Sequence, residues 1–137
     1  MISRLRQLRQ LVADWLDDIP ADAADQEPIV FSVMLDDLEV GRLRLEAKEW
    51  VFSYSDAFRA QRKIKPIVDF PNLEREYRSA DLWPFFLLRI PSLKQPAVQE
   101  FLREENVGKP NAVLLLKRFG KRSAANPFEL VPAEARG

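Results

Sequence analysis

The sequence predicts an α+β domain in which a small antiparallel sheet packs against about three to four helices. Three observations lead to this prediction. Residues 29–54 place apolar side chains at every second position, as half-buried strands do, whereas several other segments repeat them at helical spacing. The 137-residue chain is 47% hydrophobic and 31% charged, a composition that suits one domain with one core.

The first predicted element is an amphipathic helix over residues 2–19. Its apolar residues recur at spacings of three and four, and Pro20 ends it. Arginines near its start and aspartates near its end oppose the helix dipole, so packing must stabilise it. Packing on its own domain is the favoured role, and docking to a partner is the alternative. The apolar stripe consists of Leu5, Leu8, Leu11, Val12, Trp15, Leu16 and Ile19.

The acidic segment ADAADQEP at residues 21–28 reads as a linker. We therefore predict two parts of the chain, an N-terminal helix with its linker at residues 1–26 and a domain at residues 27–137. Since the helix dipole is opposed by the charges of the first part, we expect that part to be dispensable for the fold of the second.

Residues 29–54 are predicted to form a three-stranded antiparallel meander. The first strand covers residues 29–35, and Asp36–Asp37 supply the turn, because aspartate is a preferred turn residue. In the second strand the alternation slips by one residue across Gly41, which indicates a β-bulge where a side chain is costly. The third strand points its aromatic residues inward, namely Trp50, Phe52 and Tyr54.

The second half of the chain is predicted to be mainly helical. Residues 55–78 carry mixed signals, with Ser55 as the cap of a short helical turn and two later prolines in an extended or looped stretch. Helices are predicted near residues 82–90, 95–105 and 112–119. The tail PFELVP is predicted to return as a last short strand.

The segment LWPFFLLRIP, at residues 82–91, is apolar on every side if it forms a helix. Such a helix must be enclosed all round, whereas an outer helix of a two-layer domain keeps one wet face. A partner surface is therefore expected to supply part of the cover, with a plain core helix as the alternative. Tryptophan is the residue type most enriched at interface hot spots. The predicted partner interface consists of Trp83, Phe86, Leu87 and Arg89.

The residue types missing from the sequence argue against most catalytic chemistry. With no Cys and no His, the chain has no disulfides, no zinc site of the usual ligand types, no thiol nucleophile and no imidazole triad. It also has no glycine-rich phosphate-binding loop. We predict no catalytic, cofactor-binding or metal-binding residues and a protein that is not an enzyme. The paired carboxylates Asp17–Asp18 and Asp36–Asp37 read as a helix end and a turn, which leaves a hydrolase using carboxylates alone as the enzymatic alternative.

The charge balance argues against direct binding of nucleic acid. Twenty-one Lys and Arg balance twenty-one Asp and Glu, whereas nucleic-acid affinity rests on phosphate neutralisation. No apolar run reaches the roughly 20 residues of a membrane span, so we expect a cytoplasmic protein without membrane contact. Basic clusters at residues 59–65 and 117–122 read as solvated surface, with contact to a phosphate or an acidic partner as the alternative.

Four segments within residues 30–131 together resemble a known family. They are VMLDDLEVGRLRL, WVFSYSDAF, FFLLRIP and NAVLLLKRFG. Their order, with a V-G-x-L strand, an aromatic strand and two later helices, resembles the N-terminal subdomain of HipA-type Ser/Thr kinase toxins. The family closes the aromatic helix with a Leu-Pro-Glu-Gly-like sequence where this chain has Arg-Ile-Pro-Ser at residues 89–92, and residues 1–26 precede the family's usual start.

The resemblance implies a role in a bacterial toxin–antitoxin system. In full HipA-like proteins the kinase core follows in the same polypeptide, whereas in split systems this subdomain is a separate small protein that restrains the kinase. We therefore expect a stand-alone, HipS-like antitoxin that inhibits a HipA-like kinase lacking this subdomain, with a DNA-binding HipB-like protein in the same complex. The alternative is a self-associating structural module without a kinase partner.

Overall fold

The computed structural model confirms an α+β domain built on one antiparallel sheet of five strands. It describes residues 6, 9–14, 29–105, 112–124 and 126–133. The strands lie in the order β4-β3-β2-β1-β5 and are β1 Ile29–Leu35, β2 Leu38–Glu46, β3 Glu49–Tyr54, β4 Tyr77–Ser79 and β5 Glu129–Ala133. The helices are α1 at residues 9–14, α2 Asp56–Ala60, α3 Pro84–Leu87, α4 Pro96–Glu104 and α5 Ala112–Phe119.

The first three strands form the predicted meander, and the tail returns to the sheet as predicted. β5 pairs with β1 from Met34↔Glu129 to Val30↔Ala133, so the last strand lies on the far side of the first. The short strand β4 was not predicted. It pairs with β3 over three residues only, which is too short for an alternating pattern to show in the sequence.

The predicted bulge lies in β2. Val33 pairs with Gly41 and Met34 with Glu39, so Val40 is the extra residue of the bulged strand. Glycine is needed at residue 41 because of crowding, since a Cβ atom there would lie 2.5 Å from the Ser53 carbonyl oxygen. The backbone angle φ of Gly41 is not positive, so its conformation alone does not require glycine.

The helix predicted near residues 82–90 is only the single turn α3. Leu82, Phe86, Leu87 and Ile90 are fully buried, so the domain itself covers most of this segment, which corrects the expectation that it cannot. The physical reason is that one helical turn ends at residue 87 and the flanking residues are not helical. Their side chains are therefore not spread around a cylinder, as a helix of nine residues would require.

The core lies between the sheet and the remaining helices, and α4 and α5 confirm the other two predicted helices. Val12 of α1 is 1% exposed and belongs to the same core cluster as the aromatic residues of β3. The rest of the helix predicted over residues 2–19 and the linker at residues 21–28 lie outside the described residues, apart from residue 6, which is helical. The division of the chain at residue 26 stays a prediction.

Candidate functional site

Trp83 lies at the start of α3 as its N-cap residue, with extended backbone. Its side chain is half-buried, and its ring stands edge-on to the Phe70 ring with 5.0 Å between centroids. The Phe86 ring lies 6.4 Å away. Because both neighbours are fully buried, the core fixes one part of the indole while the other part faces outward.

The other two apolar residues of the predicted interface lie inside the core. Phe86 and Leu87 are 0% exposed, so in this fold their side chains offer no surface to a partner. Around α3 the accessible apolar surface is instead formed by parts of Trp83 and Phe85, which are half-buried, and by Leu88, which is 50% exposed. The structure therefore brings one predicted interface residue to the surface together with two neighbours that the sequence did not single out.

Arg89, the fourth predicted interface residue, is 3% exposed and binds within its own chain. Its Nη1 donates hydrogen bonds to the carbonyl oxygens of Gly120 and Lys121, at 3.2 and 3.3 Å. Its Nη2 donates to Asn126 Oδ1 at 2.9 Å and to the Phe128 carbonyl oxygen at 2.8 Å. The guanidinium thus ties the end of α5 to the segment that leads into β5.

The environment of Arg89 explains why these contacts are needed. Burial lowers the pKa of its guanidinium to about 10, although the Glu129 carboxylate works to raise it. The guanidinium carbon lies 5.1 Å from the centre of the Phe85 ring. A single charged residue in an apolar segment could have indicated this role from the sequence, because an enclosed charge must find polar partners inside the protein.

A β-turn at residues 67–70 lies beside α3 and is held by the hydroxyl of Tyr54. The hydroxyl accepts a hydrogen bond from the Ile67 N–H at 2.9 Å and donates one to the Phe70 carbonyl oxygen at 2.6 Å. The Phe70 N–H closes the turn on the Ile67 carbonyl oxygen at 2.8 Å. Burial raises the pKa of Tyr54 to about 12. One buried hydroxyl therefore satisfies both ends of the turn.

Of the two central residues of this turn, Asp69 bonds to α3 and Val68 faces the solvent. The Asp69 carboxylate accepts a hydrogen bond from the Phe85 N–H at 3.1 Å, which satisfies one of the free donors at the start of α3. Val68 points away from the core and is 92% exposed. The sequence analysis did not single out Val68, although an apolar residue between the two prolines of PIVDFP could have drawn attention to it.

The face of the sheet opposite the core is covered by its own ion pairs. Arg44 lies between Val30 and Val51, its partners on the neighbouring strands, and both valines are buried. Partial desolvation works to raise the pKa of Glu76, but hydrogen bonds from Arg44 and Arg78 outweigh it and lower that pKa. The pairs join Arg42 to Glu39 (3.2 Å), Arg44 to Glu46 and Glu76 (3.1 and 2.7 Å), and Arg78 to Glu49 and Glu76 (3.1 and 2.9 Å).

An open groove of about 510 Å³ runs over this face, from β1 to the start of α2. Its charged lining residues are the members of the ion pairs just described and Asp56, which pairs with Arg59. Since these charges compensate one another, the groove presents no free charge for recognising a ligand.

The two basic clusters are partly compensated as well. Arg59 also pairs with Glu74 at 3.7 Å, and Arg122 pairs with Glu129 at 3.3 Å. The guanidinium of Arg118 lies over the Phe119 ring at 5.5 Å. These contacts favour the interpretation of both clusters as solvated surface.

Among the residues that the structure describes, no group of three or more acidic side chains is arranged to hold a metal ion. None of the helices in the described ranges is both long enough and apolar enough to cross a membrane.

The comparisons with known proteins bear on the whole of this region. A family model described as the HipA N-terminal domain matches residues 31–125. The matched segment contains most of the meander, the turn at residues 67–70, and α3 with Trp83. No curated protein and no solved structure matches the chain. Because the matched residues make up more than half of the 137, the chain belongs to the HipA N-terminal domain family.

Proposed function

We propose that this protein is an antitoxin-like partner that binds and restrains a HipA-type Ser/Thr kinase in the cytoplasm. The kinase is one whose own polypeptide lacks a HipA N-terminal domain, so this chain supplies that domain in trans, as a HipS-like protein. A DNA-binding HipB-like protein is expected in the same complex. Family membership supports the HipA-related system, and binding without catalysis is the role that the resemblance implies for this domain.

The observation that carries the proposal is the half-buried indole of Trp83, part of which is accessible. Its contacts with Phe70 and Phe86 hold the ring in place before any partner arrives. A pre-positioned aromatic side chain loses little conformational freedom on binding, and tryptophan anchors dominate the energy of many interfaces. Trp83 therefore presents a pre-positioned apolar contact at the start of α3.

Two surfaces of the sheet are less suitable for binding a partner than the surface at α3. The outer face is occupied by compensated Arg and Glu side chains, as described above. The free edge of β5 is also blocked, since the Leu130 N–H bonds the Lys121 carbonyl oxygen at 2.9 Å and Pro132 has no N–H to donate. Among the surfaces described, the α3 surface is therefore the best suited to binding a partner.

The test is a binding titration between the full chain and the HipA-type kinase whose reading frame neighbours its own. We expect tight binding, loss of kinase autophosphorylation in the complex, and a fall in affinity of about thirtyfold or more for Trp83→Ala, which corresponds to about 2 kcal/mol. Thermal melts of the free variants show whether each is folded.

Phe119→Ala is the matched control, because Phe119 is also a half-buried aromatic residue but packs against Phe101 of α4. It should leave the affinity unchanged. Equal losses for both variants, or binding by the wild type without any effect on the kinase, would count against the proposal. A concentration-dependent dimer in the absence of kinase, with no binding to it, would support the self-associating module instead.

A further inference from the structure

Trp83 occupies a position to which local helix structure would not assign tryptophan. It is the N-cap residue of α3, and its side chain makes no capping hydrogen bond. Ser, Thr, Asp and Asn are favoured at an N-cap, because their side-chain oxygen accepts a hydrogen bond from the N–H of the second or third helical residue. The indole of tryptophan can only donate, so it cannot cap in this way. With Trp83 in this position, α3 needs an acceptor from elsewhere in the chain.

The Asp69 carboxylate is that acceptor. The first residue of α3 is a proline and has no N–H, and the N–H groups of Phe86 and Leu87 both bond the Trp83 carbonyl oxygen at 3.0 Å. Within this first turn, all of which the structure describes, the Phe85 N–H is left to find a partner outside α3. Asp69 Oδ2 accepts from it at 3.1 Å. A carboxylate that accepts from backbone at a helix start makes a charge-assisted bond, which is stronger than a neutral one.

The residue that follows Asp69 contacts the indole itself. The Phe70 ring stands edge-on to the Trp83 ring, with 5.0 Å between centroids and 80° between the planes. Both residues belong to the turn at residues 67–70, whose ends are held by the Tyr54 hydroxyl. Two adjacent residues of one fixed turn therefore act on Trp83, Asp69 through the backbone of α3 and Phe70 through the ring.

This arrangement compensates for a local preference that Trp83 breaks. Proteins characteristically depart from local preferences at functional sites and compensate for the departure elsewhere in the fold. A small polar residue at position 83 would cap α3 by itself, whereas this chain has a partly accessible tryptophan there and takes the cap from Asp69. We propose that Asp69 is a positioning residue for partner binding, which fixes the direction in which the Trp83 indole meets the HipA-type kinase. This inference rests on the proposed function, because the kinase is the partner.

Aspartate also suits the turn in which Asp69 lies, so the cap and the turn have to be separated. Asp69→Ala removes the acceptor, whereas Asp69→Asn keeps an acceptor oxygen and suits a turn equally well. Asp81→Ala is the matched control, because Asp81 is an exposed aspartate two residues before Trp83, and it is its backbone N–H that bonds Ser79 Oγ. The loss of one cap is small beside the stability of a domain, so all three variants should fold, which thermal melts check.

The free protein is labelled with 5-fluorotryptophan and observed by fluorine NMR, with Trp83→Phe assigning the resonance of residue 83. We expect Asp69→Ala to shift or broaden this resonance, and Asp69→Asn to keep the wild-type signal. The other tryptophan resonances should stay unchanged, including that of the fully buried Trp50, which a general loss of packing would move as well.

Titrations with the neighbouring kinase test the consequence for binding. We expect Asp69→Ala to weaken binding about tenfold, and Asp69→Asn and Asp81→Ala to stay within about twofold of the wild type. In a Trp83→Ala background, Asp69→Ala should have no further effect, because a positioning residue acts only through the residue that it positions. An equal loss in both backgrounds, or a Trp83 resonance that Asp69→Ala does not change, would overturn this inference and leave the proposed function standing. Failure of the wild-type chain to bind the kinase would overturn both.

Discussion

The guanidinium of Arg89 donates a hydrogen bond of 2.8 Å to the backbone carbonyl of Phe128, 39 positions further along the chain. The same side chain donates to the carbonyl oxygens of Gly120 and Lys121, just after the end of α5. Arg89, the second residue after α3, therefore fixes the path by which the chain leaves α5 and enters β5.

Replacing Arg89 with Met should lower the free energy of unfolding by about 2–4 kcal/mol, because the carbonyl oxygens of Gly120 and Phe128 would lose this donor at once. Urea denaturation measures this. Arg122→Met is the control, since Arg122 is mostly exposed and makes one surface ion pair, so its loss should cost less than about 1 kcal/mol. If Arg89→Met, like Arg122→Met, costs less than about 1 kcal/mol, the Arg89 hydrogen bonds do not contribute to stability as expected.

Patterns that extend over several residues made much of this fold predictable. The alternation of residues 29–54 predicted the meander, its slip at Gly41 predicted the bulge, and helical spacing predicted α4 and α5. The β2–β3 turn carries no such signal, because its central residues Ala47 and Lys48 have positive φ angles of 49° and 66° without being Gly or Asn.

The candidate site was less predictable because it depends on contacts between distant segments. Trp83 was predicted as an interface residue from its residue type; its side chain is half-buried, and its role stays a prediction. The roles of Tyr54 and Arg89 follow from hydrogen bonds that span 13 to 39 positions, and no local pattern records such contacts. The same distance effect hid the burial of LWPFFLLRIP, since loop and sheet residues remote in sequence cover it.

The hydroxyl of Tyr54 should be worth more than one ordinary hydrogen bond. Tyr54→Phe keeps the ring but leaves the Ile67 N–H and the Phe70 carbonyl without their partner, so the free energy of unfolding should fall by about 1–3 kcal/mol. Tyr77→Phe is the control, because the Tyr77 hydroxyl bonds the exposed backbone of Asn72. Chemical denaturation of both variants provides the comparison.

The same hydroxyl should make stability depend on pH in the alkaline range. The pKa of Tyr54 is about 12 in the fold and about 10 when unfolded, so between these values the folded state holds a proton that the unfolded state has lost. Stability from this group is therefore complete below pH 10 and falls by up to about 3 kcal/mol toward pH 12. Tyr54→Phe should lack this part of the alkaline fall. A wild type and variant with parallel stability curves from pH 9 to 12 would contradict the expectation.

Gly41→Ala should destabilise the domain by about 1–3 kcal/mol, the usual range for an added group in a packed site. The new Cβ would lie 2.5 Å from the Ser53 carbonyl oxygen and 2.9 Å from the Phe52 ring, so strand β3 must shift. Gly41→Val should cost at least as much. In a Phe52→Leu background the cost should be smaller, because the ring is gone, and thermal melts of the four proteins measure this coupling. A cost that is the same in both backgrounds would exclude the ring as its source.

Deletion of residues 1–26 should leave a domain that still unfolds cooperatively but is less stable. The side chain of Val12 packs into the main core, and loss of one fully buried valine removes about 1.5–3 kcal/mol. Apart from Val12, the core residues that the structure describes all lie from β1 onward, so we expect that part of the chain to fold without α1. Val12→Ala in the full chain separates the contribution of this side chain from that of the rest of residues 1–26, since it removes two buried methyl groups, worth about 1–2 kcal/mol, and keeps the backbone.

Urea denaturation followed by Trp fluorescence measures the stability of the wild type, the deletion variant and Val12→Ala. If the deletion abolishes the cooperative transition while Val12→Ala keeps it, the first 26 residues belong to the domain, and the boundary must be moved to the start of the chain.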